Sequence, residues 1–414
     1  MLIFLLLYFK ELIMKIGLLK EEKIPADKRV VLTPEQCKRI KAIYPDIELV
    51  VQSSEIRCFS DNQYISEGIK VVYDISDCDV LLGVKEVPET LLIPNKTYFY
   101  FSHIIKKQPY NRDLLVKMIE MKIKMVDYEV LKNQKGERLL GFGRYAGIVG
   151  AYNGFLTYGL KSGKYSLNAA HQCKDRIEME AELDNLILHD EKIIITGNGR
   201  VGKGIMEMMH ESGIKEVSVD EFLNKKSFSE AVFVHLNTMD YNERIDDSLS
   251  DKYEFYSHPE LYKSSFEKFA KRGDIFIAGH YYGPGSPYLF TREDAKADNF
   301  NLKVIADISC DIDGPVASTI RPSTIAAPIY GYNPITEQEV PFKQVDAIAV
   351  MAVSNLPCEL PKDASEDFGN EILEKILPSL INGDKEQVIS NATICSEGDL
   401  TPNFEYLRNY IDGN

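Results

Sequence analysis

The chain has 414 residues, with 63 Asp and Glu against 48 Lys and Arg and a formal net charge of −15. That length exceeds one comfortable core and predicts two or three domains, while the acidic balance excludes a partner bound through its phosphate backbone. Hydrophobic residues at 44% and charged residues at 27% describe ordinary globular domains.

The apolar opening, Met1 to Phe9, falls short of the roughly 20 residues that span a bilayer. It has neither a basic start nor a small-residue cleavage site, so neither a signal peptide nor a membrane anchor is expected. Met14-Lys15-Ile16-Gly17 restarts as a strand, and residues 1–13 are expected to precede a natural start at Met14. Short β-rich runs then alternate with helical ones. The strands are Lys15 to Leu19, Ile47 to Gln52, Val80 to Val84, Thr97 to Ser102 and Ile123 to Asp127. The helices are Pro34 to Ile43, with Thr33 as N-cap and Pro34 at its first position, and Asn111 to Met121. Apolar runs without alternation suit strands buried on both faces of a parallel sheet.

A glycine-rich passage, Gly141 to Gly147, opens a connecting helix over Ile148 to Leu160. Further runs follow at Ile193, at Lys215 to Val219, at Ala231 to Leu236, at Asp274 to Ala278 and at Lys303 to Asp307. Ser365 to Leu377 reads as a helix stopped at Pro378, returning the chain to the first domain. The expectation is an α/β protein with two Rossmann-like doubly wound parallel-sheet domains separated by an interdomain cleft. Residues 14–147, completed by 353–414, form the first domain and 148–352 the second. Seven cysteines without a C-x-x-C pair fit a reduced, cytoplasmic protein with no metal.

The most specific motif is Gly197-Asn198-Gly199-Arg200-Val201-Gly202, which follows Ile193-Ile-Ile-Thr196 directly. In G-x-G-x-x-G the first glycine makes the turn, the second admits the pyrophosphate, and the third lets helix pack on strand. Asp220, 18 residues after Gly202, stands near the spacing of a ribose-binding acid and favours NAD over NADP. Lys225 and Lys226 would suit a 2′-phosphate instead.

Ligands in such sheets lie beyond the carboxyl ends of strands. Lys85 follows one strand and His103 another. Imidazoles in general titrate near neutrality, and a lysine can join such a group in proton transfer if burial or a neighbouring cation lowers its pKa. Each alone reads equally as a surface or structural residue; together they read as an acid–base pair. Arg29 and Arg138, beside a helix start and the glycine-rich passage, suit substrate carboxylates. Arg138 reads equally as a solvated hairpin charge.

These residues, with the strings DKRVVLTP, LGVKEVPE, TYFYFSHIIKKQ, VDYEVLKNQKGERLLGFGRYAG, VIADISCD and NLPCELPKDASEDFG, resemble the lysine-forming saccharopine dehydrogenases and the lysine–2-oxoglutarate reductases. These families lie within the alanine dehydrogenase and transhydrogenase superfamily. The resemblance runs from Met14 to about Tyr410. It implies oxidation of saccharopine to an imine with a nicotinamide coenzyme, then hydrolysis to L-lysine and 2-oxoglutarate. Lys85 would take the proton from the secondary amine and His103 would activate water. Glu86, Lys106 and Glu129 would tune that pair, Arg29 and Arg138 would hold carboxylates, and Asp307 would lie near the nicotinamide.

The alternatives are an alanine or lysine dehydrogenase, an NADP-dependent saccharopine-forming reductase, and a sensor that binds NAD without catalysis. The expected partners are small molecules, with neither nucleic acid nor membrane.

Overall fold

A computed structural model describes residues 14–413, so the expected extension at 1–13 lies outside the described residues. The chain divides into two units, one running to Gly141 and resuming at Pro361, the other Phe142–Leu360. The expected boundaries at 147 and 352 fall inside the second unit. The reason is that the passage after Gly141 is already helical from Gly143 and packs within that unit, as do residues Leu356–Glu359.

In the first unit the apolar runs become β1 (Lys15–Leu18), β2 (Glu48–Gln52), β3 (Lys70–Val72), β4 (Val80–Lys85), β5 (Thr97–Phe101) and β6 (Lys124–Asp127). They pair in parallel in the order β3-β2-β1-β4-β5-β6, the doubly wound arrangement. Thr393–Ser396 adds antiparallel to β6, and Asp399–Leu400 closes that edge. Leu81, Tyr98, Tyr100 and Met125 are fully buried in the core of this unit. Thr33 caps the Pro34–Ile43 helix in a capping box with Gln36. The late helix packs on this one: the Val30 amide donates to Ser365 Oγ at 2.9 Å, and Gln36 Nε2 donates to the Glu366 carbonyl at 2.8 Å.

That late helix corrects one expectation. It does not stop at Pro378; Pro361–Glu371 continues through a π-turn, Ile372–Ile376, into Leu377–Asn382. The Leu377 amide bonds the Ile372 carbonyl five residues back. The widened turn gives the proline, which has no N–H to offer, a place in a continuing helix.

The second unit contains β7 (Lys192–Thr196), β8 (Lys215–Glu216), β9 (Val232–Leu236), a ribbon of β10 (Asn242–Arg244) and β11 (Tyr262–Ser264), then β12 (Ile275–Ala278), β13 (Val304–Asp307), β14 (Ile329–Asn333), β15 (Gln338–Val340) and β16 (Ile348–Met351). Six of these pair in parallel in the order β8-β9-β7-β12-β13-β16, and β14 and β15 add antiparallel beyond β16. The connecting helix, Gly143–Ser162, starts earlier than expected because its glycines pack. A Cβ on Gly147 would meet the Val201 carbonyl at 2.0 Å, and one on Gly204 the Arg144 carbonyl at 1.9 Å. Backbone meets backbone where this helix crosses Arg200–Glu211.

A second correction concerns Lys215 to Val219. Only Lys215–Glu216 is strand, and Ser218 caps a helix, Val219–Asn224. Ser218 Oγ accepts from the Glu221 amide while the Glu221 carboxylate accepts from the Ser218 amide. That reciprocal cap outweighs the apolar pattern. β9, rather than β8, lies beside β7.

Among the described residues no helix is long and apolar enough to cross a membrane.

Candidate active site

Three adjacent strands of the first unit end in titratable side chains. Lys85 is the last residue of β4, His103 lies two residues beyond β5, and Glu129 lies two beyond β6. Lys85 Nζ stands 3.5 Å from His103 Nε2, and His103 Nδ1 stands 3.2 Å from Glu129 Oε2. Lys106 Nζ approaches the other Glu129 oxygen at 3.4 Å. A carboxylate accepts only, so Nδ1 is the donor to Glu129, and in the neutral imidazole Nε2 keeps its lone pair on the side of Lys85. Lys85 and His103, read from strand ends, and Lys106 and Glu129, implied by the resemblance, thus form one chain of contacts.

Charge in this cluster follows from burial and neighbours. Burial and the nearby Arg29 guanidinium lower the Lys85 pKa, against the pull of Asp27. Burial disfavours the Glu129 anion, yet the hydrogen bond from His103 and the charge of Lys106 bring its pKa down to about 2. The Lys85 end of β4 is fixed from below. The buried carboxylate of Glu21 accepts from the amides of Val84 at 2.7 Å and Lys85 at 2.8 Å. Burial pushes Glu21 up to about 8 despite these two bonds.

Around the pair, Glu86 Oε1 accepts from Lys23 Nζ, while its Oε2 is buried without a hydrogen-bond partner. Arg29 is 2% exposed and grips Asp27 through Nε at 3.0 Å and a terminal nitrogen at 2.5 Å. Burial works against the Asp27 anion, but that guanidinium holds its carboxyl far below the usual range. Arg138 is exposed on a hairpin bridged to Lys132, with its guanidinium 5.6 Å from the Phe101 ring centre. The Phe101 ring also lies roughly parallel to the His103 ring, with centroids 6.4 Å apart.

In the second unit the glycine motif behaves as its chemistry requires. Gly197 has φ of +102°, and a Cβ there would meet the Gly279 carbonyl at 2.1 Å. A Cβ on Gly202 would meet the Gly197 carbonyl at 1.9 Å, whereas one on Gly199 would meet nothing within 4 Å. The first and third glycines are sterically required, and the second leaves open space. Gly199 is the N-cap of Arg200–Glu211, so the free amides of that helix face this opening. These residues fit a dinucleotide pyrophosphate.

The other expected coenzyme residues lie differently. Asp220 is exposed in the first turn of a helix, bonded to Asn224 Nδ2 at 2.7 Å, and not at a strand end. The strand beside β7 exits through His235, Leu236 and Asn237. Asp307 does end β13, but it is fully buried and its oxygens accept from Ser309 Oγ at 2.7 Å and Thr319 Oγ1 at 2.7 Å. Burial raises its pKa in spite of those bonds. Asn198 Nδ2 reaches the Leu236 carbonyl at 3.5 Å.

Two histidines escape sequence reasoning. His235 Nε2 lies 2.8 Å from the Gly197 carbonyl. His280, buried beyond β12, bonds Thr196 Oγ1 through Nδ1 at 2.8 Å, and its Nε2 has no partner. Burial lowers its pKa to about 4, so it is neutral. A pocket of about 450 Å³ beside the motif is lined by Asn198, Lys203, Met206, Glu207, His210 and His235.

Residues 17–149 match the family model for the alanine dehydrogenase/PNT N-terminal domain. Among curated proteins, the chain is 29% identical to an alpha-aminoadipic semialdehyde synthase of Arabidopsis thaliana, over 95% of this chain and 41% of that one. It is 28% identical to the mitochondrial alpha-aminoadipic semialdehyde synthase of Mus musculus, over 94% and 47%. The chain thus spans less than half the length of these relatives. It is 24% identical to the saccharopine dehydrogenase [NAD(+), L-lysine-forming] of Candida albicans, over 87% of this chain and 90% of that one. Its fold is that of an L-alanine dehydrogenase structure, with TM-score 0.65, 16% identity, and 96% of this chain and 100% of that one covered. The resemblance read from the motifs is borne out by these relatives.

Proposed function

We propose that the chain is a nicotinamide-dependent oxidoreductase that interconverts saccharopine with L-lysine and 2-oxoglutarate. The observation that carries this reading is the contact of Lys85 Nζ with His103 Nε2, backed by Glu129. In the proposed reaction the coenzyme, held at the amides after Gly199, supplies the hydride acceptor. Lys85, its ammonium destabilised by burial and Arg29, takes the proton from the secondary amine of saccharopine as that amine is oxidised. His103 Nε2 takes a proton from the water that adds to the imine carbon and returns it to nitrogen as the carbinolamine collapses. Glu129, ionised throughout, stabilises the imidazolium between those two steps. Arg29 and Arg138 bind substrate carboxylates, and Glu86 and Lys106 balance charge. Asp307 shapes the loop that follows β13.

The coenzyme proposal is that both NAD and NADP serve. Asp220, whose spacing suits a ribose-binding acid at a strand end, is on a helix. The nearest acid after β9, Asp240, has its Oδ2 bonded to the Asn237 amide at 2.6 Å. Lys203 and His210 line the pocket beside the motif. Glu207, the carboxylate among the described lining residues, is gripped by Arg144 and Arg176. Among the described residues lining that pocket, the carboxylate is thus already matched by two guanidinium groups, which suits a 2′-phosphate beside Lys203.

The test is oxidation of NADH and of NADPH with 2-oxoglutarate plus lysine, compared with pyruvate plus ammonia. Turnover of the first pair with either coenzyme is expected. Exclusive use of pyruvate and ammonia, or coenzyme binding without any turnover, would overturn the proposal.

A further inference from the structure

His103 sits in a conformation that a non-glycine residue rarely adopts, with φ of 56° and ψ of 12°. Left-handed backbone is costly for a residue with a Cβ and persists only where its surroundings impose it. Those surroundings are specific. Ser102 is fully buried, and its Oγ donates to Asp127 Oδ2 while accepting from the Ile104 amide at 3.3 Å. One hydroxyl thus spans His103, tying the residue before it to the residue after it. The Ser102 amide also donates to Asp127 Oδ2, at 3.3 Å.

Asp127 reaches the other arm as well. Its Oδ1 accepts from the Glu129 amide at 2.7 Å. A single fully buried carboxylate, at the end of β6, therefore fastens the turn that carries the imidazole and the segment that carries its carboxylate partner. Nothing in the proton transfers themselves uses Ser102 or Asp127.

We infer that Ser102 and Asp127 are positioning residues for His103, setting the left-handed turn that aims Nε2 at Lys85 and keeps Nδ1 on Glu129. This rests on His103 acting in the reaction proposed above. Removing the hydroxyl frees the Ile104 amide and one Asp127 lone pair, and the turn relaxes toward ordinary φ. The imidazole then swings away from both partners. Substrate carboxylates and coenzyme are held by other residues, so their binding stays.

The experiment compares Ser102→Ala, Ser102→Thr, Asp127→Asn and His103→Gln in steady-state kinetics with lysine, 2-oxoglutarate and reduced coenzyme. Since small misplacements of a reacting group cost one to two orders of magnitude, Ser102→Ala is expected to lower kcat by about 10-fold, with each KM within about twofold. Ser102→Thr, which keeps the hydroxyl, should recover most of that loss, and Asp127→Asn should resemble the alanine variant. If Ser102→Ala turns over normally while His103→Gln is impaired, the positioning role falls and the reaction stands. If the threonine variant is as slow as the alanine, or KM rises with kcat unchanged, the inference falls too. Should Ser102→Ala fail to fold, Thr against Asn carries the same comparison. A fully active His103→Gln would instead remove the parent reading.

Discussion

The sheets of the two units each lay six parallel strands together and finish with an antiparallel pair, yet their carboxyl ends are built from different materials. In the first unit the ends carry side chains that titrate: Lys85, His103 and Glu129. In the second they carry glycines whose missing side chains matter, Gly197 and Gly202, with Gly199 facing open space. The first arrangement suits proton movement and the second suits an anion approached by backbone amides. Each also needs its own support. Buried carboxylates, Glu21 and Asp127, hold the titrating ends by their backbones. The glycine turn is held by sterics and by His235 on the Gly197 carbonyl.

The largest expected effect is in the first unit. Lys85→Met and His103→Gln should each lower turnover by about 10²-fold or more, the range of positioned acid–base groups. Coenzyme affinity, followed by quenching or enhancement of NADH fluorescence, should not change. Wild-type rates in both variants would remove the division of labour altogether. Next come the glycines. Gly202→Ala pushes a methyl into the Gly197 carbonyl, and overpacking of this kind costs about 1–3 kcal/mol, so coenzyme affinity should fall by roughly 10-fold. Gly199→Ala separates ligand from packing. It meets no protein atom, so thermal stability should hold while coenzyme binding weakens. Loss of stability with intact binding would mean that the open space belongs to no ligand.

The same contrast explains what the sequence discloses. The parallel strands are local signals, apolar runs bounded by turns, and G-x-G-x-x-G is read within six residues. Lys85 and His103 are found because each directly follows or ends such a run. Their supports are not local. Glu21 meets Lys85 across 64 positions, and a Glu-Glu-Lys stretch carries no mark of burial. Asp127 ends an apolar run in plain view, but only the pairing of β5 with β6 sets it under Ser102. The placing of β9 beside β7 is a choice between two edges that no run of residues encodes. Ser218-Val-Asp-Glu221 is a readable helix start, obscured by the apolar residues around it. Asp307 was legible as an acid at a strand end, but not as one enclosed by Ser309 and Thr319.

The buried supports should appear in the pH dependence of stability. Glu21 has a folded pKa of about 8 against an ordinary 4.5, and Asp127 about 6 against 3.8. For a group raised on folding, the stabilising contribution is full below the unfolded value and disappears as pH rises through the folded one. The contribution of Asp127 should therefore decline between about pH 3.8 and 6 and that of Glu21 between about pH 4.5 and 8, against a rise between about pH 4 and 6.5 from the buried neutral His280. The decline should be shallower in Glu21→Gln, whatever its absolute stability. Parallel pH profiles for the two proteins would show that Glu21 is ionised without cost, and that β4 is held by an ordinary surface-like carboxylate.

The smallest effect tests the strand order of the second unit. If β9 occupies the place beside β7, the adenosine end of the coenzyme meets His235 and the pocket of Lys203 and His210 rather than Asp220. Lys203 is exposed, so a phosphate contact there is worth only about 1 kcal/mol. Lys203→Ala should raise KM for NADPH by about fivefold and leave NADH nearly unchanged, with the difference shrinking at high salt. Asp220→Ala should alter neither, because its carboxylate lies in a helix and is bonded to Asn224. A rise in the NADH constant of Asp220→Ala would return the acid to the ribose. The two sheets would then share one plan for their strand ends after all, and the unusual order of β8 and β9 would have no bearing on coenzyme choice.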